Sequence, residues 1–445
     1  MRPVRDADLP QAPTRVYVPI WAKFVLAQVF AIAWVAFSVW LSLPWFHDLS
    51  TVVSPFVAFV MITFVAYIPG YLVALLCASL VLDRQPAFRV AHPTTPMTVL
   101  IAARNERAVI RSTLEYLAVQ DYAGAISVIL IDNGSTDDTA LLARAAADEL
   151  GLDFRIVFES VPGKSNALNT GLTEVETELV VTVDADTLLH PSALRLLVAR
   201  LMSAPDDVVA VAGHVLVRNS REGWVAQMQG WDYALGISAI KREQSLFQGT
   251  LVAQGAFSVY RTDAVEEVGG WPSGVGEDIM LTWRFLAHDY RVYHEPLAAS
   301  FTTVPVTLRA LARQRARWAR GMIEAIGDVH PFRQPRLLPR FLAAVDLVVP
   351  WLDAAFTFVW LPGLVLALTG RFWIVGPYTI FVIPLSFASA ALMSHENHRC
   401  FDVLGITMRR SRIGFLSYVL TFQAIQSPVS LWGYTREFLH LRKTW

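Results

Sequence analysis

Apolar residues in this chain are concentrated in long blocks, and this clustering limits what the chain can fold into. Of the 445 residues, 54% are hydrophobic and only 17% are charged, whereas a soluble protein carries about 25% charged residues. A helix needs about 20 predominantly apolar residues to cross a bilayer. Residues 21–45, 52–82, 341–394 and 413–432 supply such blocks. Because residues 95–304 have ordinary soluble composition, the sequence predicts a water-facing domain between membrane-spanning segments.

Basic residues predict the side of the membrane on which this domain lies. They precede the first block, follow the second and recur between the last two, whereas residues 46–51 hold neither Lys nor Arg. The positive-inside rule therefore places the central domain in the cytoplasm, in a multi-pass protein of the cell inner membrane. A retained anchor is favoured over a cleaved signal peptide, since a second block follows at once. The basic residues that indicate this orientation are Arg2, Arg5, Arg15, Lys23, Arg84, Arg89, Arg399, Arg409, Arg410 and Arg412.

Other features exclude several classes of protein. A net charge of −1 gives no reason to expect a nucleic-acid partner. Two lone cysteines, Cys77 in a span and Cys400 in an expected cytoplasmic loop, form neither a disulfide framework nor a zinc site. The stretch "SHENHR" is expected to be solvated. The number of C-terminal crossings stays open, because Arg436, Arg442 and Lys443 favour a cytoplasmic C-terminus that three crossings would not give.

Strands and helices alternate in the central region. The segments "MTVLIAA", "ISVILID", "FRIVFE" and "LVVTVDAD" read as apolar strands followed by helices. This predicts a mostly parallel sheet covered on both faces, with ligands at the carboxyl ends of its strands. No Walker A motif occurs, and no G-x-G-x-x-G follows the first strand. Acidic and amide side chains fall at the strand ends and predict an acidic nucleotide site: Asn105, Glu106, Asp132, Asp184 and Asp186.

Two pairs of acids are candidate functional residues. Asp184 and Asp186 follow a strand and could hold a divalent cation that neutralises a diphosphate, because Mg²⁺ is typically bound by one or two carboxylates plus substrate phosphates. They could instead cap the next turn. Glu277 and Asp278 begin a predicted helix, where the dipole favours carboxylates whether or not they have a function.

A basic helix is predicted after the central domain. Gln314, Arg317 and Trp318 are spaced to share one face of it. Four arginines form a stripe typical of a helix lying on a membrane surface, and such a helix could still present the Gln-Arg-Trp face to the site. The stripe consists of Arg309, Arg313, Arg317 and Arg320.

The motifs "AARNE", "IDNGSTDDT", "PGKSNALN", "DAD", "GED" and "QRARW", in this order between apolar blocks, resemble the family 2 processive glycosyltransferases. That group includes cellulose, chitin-oligosaccharide, hyaluronan and poly-N-acetylglucosamine synthases. The resemblance covers residues 99–318 and is closest to the bacterial poly-β-1,6-N-acetylglucosamine synthases. It implies an α/β domain of GT-A fold, the nucleotide-diphospho-sugar transferase fold, inserted between α-helical transmembrane segments.

The resemblance also implies a division of the chain. Residues 1–94 would hold two transmembrane helices and residues 95–305 the GT-A domain. Residues 306–335 would form the amphipathic interface helix, and residues 336–445 the C-terminal transmembrane helices.

The family's functional residues carry over to matching positions. Glu106 and Asp132 would contact uridine, with Lys164 near the nucleotide. Asp184 and Asp186 would bind the donor and Mg²⁺ or Mn²⁺, and Asp278 would be the general base. Departures are Gly276, where Thr is usual, and Arg104 inside the first motif; both bear on the sugar more than on the reaction. Further substrate contacts are expected from Ala103, Glu277, Gln314, Arg317 and Trp318.

The implied function is an inverting, processive β-glycosyltransferase. It would polymerise a UDP-sugar, UDP-N-acetylglucosamine first among the candidates, and export the polysaccharide across the bilayer. A small membrane subunit is a further candidate partner. Open alternatives are a non-processive transferase to a lipid acceptor, a hyaluronan, chitin or cellulose type of synthase, and a transporter with a regulatory nucleotide-binding domain. A glycosidase fits poorly, because it needs two opposed carboxylates but no nucleotide site.

Overall fold

A computed structural model describes residues 1–10, 18–376, 382–407 and 411–441, with residues 382–384 described by their backbone alone. Residues 377–381 of the third apolar block fall in a gap between these ranges. Five basic residues that entered the topology prediction also lie outside the described residues. They are Arg15, Arg409, Arg410, Arg442 and Lys443.

Eight strands of the described chain form a single sheet. They are β1 (Met97–Ala103), β2 (Ile126–Asp132), β3 (Asp153–Phe158), β4 (Leu179–Val183), β5 (Leu188–Leu189), β6 (Val208–Val217), β7 (Phe257–Arg261) and β8 (Arg291–Thr302). Their order is β3-β2-β1-β4-β7-β6-β8-β5. The strands β3, β2, β1 and β4 are parallel neighbours, as the apolar runs predicted. The other half is mixed, because β7 runs antiparallel to both β4 and β6, and β5 antiparallel to β8.

Helices cover both faces of the sheet and form the terminal regions. Those before and around the parallel strands are α1 (Ile20–Leu41), α2 (Leu43–Ser50), α3 (Pro55–Ile62), α4 (Ile68–Leu82), α5 (Ile110–Ala118), α6 (Thr139–Leu150), α7 (Lys164–Leu172) and α8 (Ala193–Ser203). Those that follow are α9 (Trp224–Trp231), α10 (Ser238–Leu246), α11 (Thr262–Glu267), α12 (Glu277–Ala287), α13 (Leu308–Asp328), α14 (Leu337–Asp346), α15 (Val349–Ala355), α16 (Leu361–Leu368), α17 (Val382–Leu404) and α18 (Arg412–Phe438).

Three helical stretches in the described ranges are long and apolar enough to cross a membrane. They are Ile20–Leu41, Pro55–Leu82 and Leu337–Leu368. The first two coincide with the two N-terminal blocks of the sequence. The third lies in the block 341–394 and extends to its N-terminal side. The block 413–432 lies inside α18, which is not one of the three.

The segments that flank the first two apolar stretches both contact the sheet domain. Before α1, the backbone N–H of Val4 donates to Ser192 Oγ at 2.8 Å, and Arg195 donates to the Val4 carbonyl at 2.7 Å. After α4, Asp83 accepts a hydrogen bond from the buried Arg242 at 2.9 Å. The segments before α1 and after α4 therefore both contact the sheet domain.

The helix α17 differs from expectation. Residues 397–414 were expected to be a cytoplasmic loop, but the helix continues to Leu404 and its end packs into the sheet domain. Phe401 and Leu404 are 3% and 1% exposed and belong to the main core, and Cys400 is buried beside them. Glu396 of "SHENHR" is also buried and lies 3.5 Å from the Arg242 guanidinium, so this stretch is not simply solvated. Composition alone gave no sign of this tertiary contact.

The helix α18 packs along α13 and joins it to the apolar region. Arg320 of α13 donates to Glu437 of α18 at 2.8 Å. Further along α18, Ser427 Oγ and Tyr434 Oη donate to the buried carboxylate of Asp353 at 2.7 and 2.9 Å. A carboxylate in an apolar helix is costly unless it is paired, and here both of its oxygens have hydroxyl partners.

Candidate active site

The carboxyl edge of the parallel strands forms the floor of the candidate site. Ala103 ends β1 and is in register with Asp132, which ends β2. Asn133 then donates its backbone N–H to the Ala103 carbonyl at 2.9 Å, and Asp132 Oδ1 accepts the N–H of Ser135 at 2.9 Å. Asp132 is 8% exposed. The two predicted residues therefore lie side by side, with the Asp132 side chain fixed by the loop that follows it.

The loop after β1 carries Glu106 and is tied to the loop after β2. Asn105 has φ 60°, a left-handed conformation that Asn tolerates. Its side-chain oxygen accepts the N–H of Thr136 at 2.8 Å, and the N–H of Glu106 donates to Thr139 Oγ1 at 2.8 Å. These bonds hold the two loops together before α5 begins at Ile110 and α6 at Thr139. They also place Glu106 on the edge of the same cleft.

Asp184 and Asp186 lie in a tight turn directly after β4. The N–H of Asp184 donates to the Ala256 carbonyl at 3.2 Å, and its own carbonyl accepts the N–H of Thr187 at 2.9 Å. The Asp184 carboxylate pairs with Lys164, the first residue of α7. Asp186 accepts a hydrogen bond from Thr302 at 3.4 Å. The turn is therefore anchored to β7 and β8, so the two carboxylates are held and are not merely a helix cap.

Lys164 is central to this cleft. Its ammonium contacts Asp184 and lies 3.8 Å from Glu277 Oε1. Burial lowers the pKa of Lys164, but Asp184 and Glu277 more than offset this, so its pKa is raised overall. A Cβ at Gly255 would lie 2.8 Å from Lys164 Nζ, so the backbone of the opposite wall comes close to this ammonium. The lysine is thus a permanent cation between acids contributed by two distant parts of the chain.

The acidic charge of the cleft exceeds what Lys164 neutralises. Burial, with the charges of Asp186 and Asp184, raises the pKa of Glu106 to about 7. Burial, opposed by Lys164, raises the pKa of Glu277 to about 7. Burial and then Asp184 also raise the pKa of Asp186. Carboxyl groups whose pKa is raised by burial and by each other indicate a site that is completed by a positive group.

Asp184 and Asp186 fit a divalent cation that is shared with a ligand. Among the residues that the structure describes, no group of three or more His, Cys, Asp or Glu is arranged as a metal cluster. A Mg²⁺ ion needs only one or two carboxylates when phosphates and water complete its shell. The two partly buried carboxylates suit that requirement.

Asp278 enters the cleft from the start of α12. Its Oδ2 accepts the backbone N–H of Gly255 at 3.2 Å. The strand-like segment before Gly255 is itself fixed, because Lys241 Nζ donates to the Val252 carbonyl at 2.6 Å and the N–H of Ala253 donates to Thr282 at 2.8 Å. Asp278 also interacts electrostatically with Lys164. The structure therefore brings the predicted base into the same cleft as the Asp184–Lys164 pair.

The predicted Gln-Arg-Trp face of α13 borders this region. Trp318 remains 39% exposed, and Arg317 is exposed beside it. Gln314 is half-buried, and its Oε1 finds no hydrogen-bond partner among the described residues. A buried amide oxygen without a partner costs free energy, so a ligand that donates a hydrogen bond there would be favoured.

Three residues without a predicted role support this face. A π-helical segment, Asp232–Ile237, places the Asp232 carboxylate 2.6 Å from the Arg315 guanidinium, with both side chains buried. The Arg315 guanidinium lies 4.3 Å from the centre of the Trp318 ring, and the Tyr233 ring lies 6.2 Å from it. Tyr233 also interacts electrostatically with Asp186, and so connects the Gln-Arg-Trp face of α13 with the acidic part of the cleft. The "QRARW" motif was the available signal for Arg315; a π-helix has no comparable sequence signal.

Only part of the predicted basic stripe is exposed to solvent. Arg309, Arg313 and Arg317 are exposed, but Arg320 is 4% exposed and pairs with Glu437. One face of α13 is thus covered by α18, and the exposed part of the stripe is shorter than the sequence suggested.

A sheet with this order and an acidic cleft at its carboxyl edge defines a domain of the GT-A class, whose members transfer sugars from nucleotide donors. The chain belongs to the glycosyltransferase-like family 2, whose sequence model matches residues 93–321. This confirms the family and the fold that the motifs predicted, and it identifies an enzyme domain.

Two curated relatives show the sequence similarity. The poly-β-1,6-N-acetyl-D-glucosamine synthase of Staphylococcus aureus (strain COL) is 30% identical over 255 residues, which are 57% of this chain and 61% of that protein. The synthase of the same name from Staphylococcus epidermidis is 32% identical over 232 residues, 52% of this chain and 55% of that protein. The alignment therefore spans less than two thirds of either relative.

One solved structure resembles the whole chain. It is the mannosyltransferase PcManGT from Pyrobaculum calidifontis in complex with GDP-Man and Mn²⁺, with a TM-score of 0.56 at 18% identity. The superposition covers 95% of this chain and 100% of that one. At this level of identity the likeness shows the fold alone.

The raised pKa of Glu106 predicts a stability effect. Relative to its ordinary value of 4.5, a folded-state pKa of about 7 means that the folded chain holds the proton more tightly than the unfolded chain. Stability is therefore lost as pH rises from 4.5 to about 7, and stays low above that range. We expect Glu106→Gln to unfold at a higher temperature than the wild type at about pH 8, but not at about pH 5, in thermal melts in detergent with EDTA.

Glu176→Gln removes an exposed carboxylate and serves as the control. It should leave the pH dependence of the melting temperature unchanged. A Glu106→Gln variant that melts at or below the wild-type temperature at the higher pH would contradict the burial of this charge in an acidic cluster.

Proposed function

We propose that this protein is an inverting, processive β-glycosyltransferase that polymerises UDP-N-acetylglucosamine into poly-β-1,6-N-acetylglucosamine at the cytoplasmic face of the membrane. The names of the two staphylococcal relatives support the sugar and the linkage. The observation that carries the proposal is the meeting of Asp278 with the Asp184–Lys164 pair in one cleft, beside the exposed Trp318. Such a cleft has a base, a site for a charged donor and an aromatic surface for an acceptor.

The donor would lie along the carboxyl edge of β1, β2 and β4. Glu106 and Asp132 would contact the uridine, and Ala103 would form the floor beneath it. Lys164 would attract the diphosphate, since its ammonium is already held inside the cleft beside Asp184. Glu277, 3.8 Å from that ammonium, would set the lysine's position opposite the donor sugar.

Asp184 and Asp186 would hold Mg²⁺ or Mn²⁺ together with the donor. When bound, the cation would supply positive charge to the diphosphate. This charge would stabilise the leaving group by on the order of several kcal/mol. The fold neighbour was solved with Mn²⁺. The clustering of acids with raised pKa around Asp186 is the feature of this chain that calls for such a charge.

Asp278 would act as the general base. An acceptor hydroxyl oxygen would attack the anomeric carbon, its proton would pass to Asp278, and the bond from that carbon to the diphosphate would break with its electrons leaving on UDP. Attack opposite to the leaving group converts an α-linked donor into a β-linked product. The backbone N–H of Gly255, which donates to Asp278 Oδ2, fixes the direction of this carboxylate.

The Gln-Arg-Trp face of α13 would hold the acceptor end of the cleft. Trp318 would stack under a sugar ring, because the Arg315 guanidinium lies against its ring while part of its surface remains exposed. Arg317 would stabilise the charge that develops on the leaving diphosphate. Gln314 Oε1 would accept a hydrogen bond from a sugar hydroxyl, which would relieve its lack of a partner.

The position of the cleft next to apolar helices supports export of the product. A hydrated glycan does not cross about 30 Å of hydrocarbon unaided. We therefore propose a multi-pass protein of the inner membrane that passes the growing chain through its own apolar helices, with a small membrane subunit completing the path. The described ranges contain three apolar stretches, which are few for a channel, and this is the reason for including a subunit.

Replacement of Asp278 tests the base. Asp278→Asn should lower kcat by about 10²–10⁴-fold, because the amide cannot take the hydroxyl proton, while UDP affinity changes little. UDP release and UDP binding by calorimetry measure the two effects. Asp263 also accepts the N–H of its successor in the first turn of a helix, so Asp263→Asn is a matched control. Polymer synthesis by Asp278→Asn at a near-normal rate would remove it as the base.

Removal of divalent cations tests Asp186. EDTA should abolish transfer by the wild type, and added Mn²⁺ should restore it, because the acidic cleft needs a cation to accept a diphosphate. The Asp186→Ala variant should stay inactive when Mn²⁺ is added. Full wild-type activity in EDTA would rule out a metal-dependent reaction.

Synthesis in sealed vesicles tests the product and its fate. With the catalytic domain facing outward and each UDP-sugar supplied outside in turn, we expect UDP-N-acetylglucosamine to give a β-1,6-linked polymer that is protected from added glycosidase. Another sugar in the polymer would correct the donor. Short, lipid-linked or fully digestible products would favour a non-processive transferase, and nucleotide-dependent solute uptake without UDP release would favour a transporter.

A further inference from the structure

Glu324 of α13 contacts the loop that delivers the candidate base. One of its carboxylate oxygens, Oε2, accepts the backbone N–H of Val275 at 2.6 Å and that of Gly276 at 3.1 Å. These are the two residues directly before Glu277 and Asp278. Hydrogen bonds to an ionised carboxylate are about twice as strong as neutral ones. The loop is therefore held from the side of α13, at a point two residues from Asp278.

A contact between two glycines brings the backbones close enough for this bond. A Cβ at Gly276 would lie 2.6 Å from the Cα of Gly321, and a Cβ at Gly321 would lie 2.8 Å from the Cα of Gly276. Neither position tolerates a side chain without moving a helix. This explains the departure noted in the sequence, where Gly276 replaces the more usual Thr: here α13 lies directly against the residue that precedes α12.

The same helix carries the acceptor face. Gly321 lies four residues after Arg317 and three after Trp318, and Glu324 follows three residues later, so these residues share one side of α13 with Gln314. A single rigid helix thus connects the proposed acceptor and leaving-group contacts to the loop before Asp278. Any shift of that loop along or away from α13 changes the distance between the base and the acceptor hydroxyl.

We propose that Glu324 is a positioning residue, which acts through Asp278 by fixing the Val275–Gly276 backbone against α13. The inference rests on the proposed function, because it takes Asp278 as the base and the Trp318 face as the acceptor site. Glu324 itself makes no contact with the reacting atoms. Its carboxylate sets the geometry in which Asp278 meets the acceptor.

A second set of hydrogen bonds, also between α12 and α13, supplies a matched control. Asp328 of α13 accepts two hydrogen bonds from Arg284 in the last turn of α12, at 2.7 and 2.9 Å. Glu324 and Asp328 both border one open cleft of about 400 Å³, so truncation of either leaves no closed void. The two acids thus join α12 to α13 in similar ways, but only Glu324 does so beside Asp278.

The test compares Glu324→Ala, Glu324→Gln and Asp328→Asn in the full-length protein, with whichever UDP-sugar the wild type turns over. We expect Glu324→Ala to lower kcat by about 10²-fold, since a misplacement of about 1 Å costs that much. The donor KM should change little, because most of the proposed donor contacts come from the loops after β1, β2 and β4 and from α7. Glu324→Gln keeps an accepting oxygen and should recover at least part of the loss. The kcat of Asp328→Asn should stay within about threefold of the wild-type value, because the hydrogen bonds between Asp328 and Arg284 lie away from Asp278.

Melting temperatures separate positioning from general destabilisation. If Glu324→Ala and Asp328→Asn lower the melting temperature alike but only the former lowers kcat, the inference is supported. It is overturned if Glu324→Ala keeps kcat within threefold, if both variants lose kcat equally, or if the loss appears in the donor KM instead. Asp278→Asn in the same series separates the assignment of the base from the inference on Glu324. If Asp278→Asn remains active while Glu324→Ala does not, the assignment of the base fails and so does the inference. A wild type that is active on another sugar corrects the donor alone.

Discussion

Electrostatic repulsion among carboxylates is the constraint on which the cleft depends. Glu106, Asp184, Asp186, Glu277 and Asp278 come from separate parts of the chain and converge at the carboxyl edge of one sheet. Lys164 contacts Asp184 and Glu277, and the pKa values of Glu106, Asp186 and Glu277 remain raised. Such a cluster costs stability when it is empty. Under the proposed function, a cation that enters with a diphosphate would offset this repulsion, so the acidic cluster and donor binding would depend on each other.

The helix α13 relates this donor cleft to the rest of the molecule. It meets the loop before α12 at Gly321, the π-helical segment at Arg315 and α18 at Arg320. Each contact uses a different side of the helix, so its rotation and its position along its axis are both fixed. The helix α18 in turn bonds to Asp353 in the apolar region. The same helix that presents Trp318 is therefore connected to both the sheet domain and the apolar helices.

Local patterns in the sequence predicted the parallel half of the sheet and most of the cleft. The bounds of β1 and β2 match the apolar runs, because continuous burial on both faces leaves a continuous apolar signal. Glu106, Asp184 and Asp278 stand at element ends, where polar residues are conspicuous. The docking of α17, the Asp232–Arg315 pair and the Glu324 contact escaped prediction, because each joins residues far apart in the chain through geometry that no short motif encodes.

The central claim is that the acidic cleft is completed by a cation and a nucleotide diphosphate together. Binding of Mn²⁺ to the purified protein, measured by electron paramagnetic resonance with and without UDP, tests it directly. We expect UDP to tighten Mn²⁺ binding by about tenfold or more and Mn²⁺ to tighten UDP binding by the same factor, because linkage is reciprocal. Mn²⁺ affinity that is unchanged by UDP would contradict it.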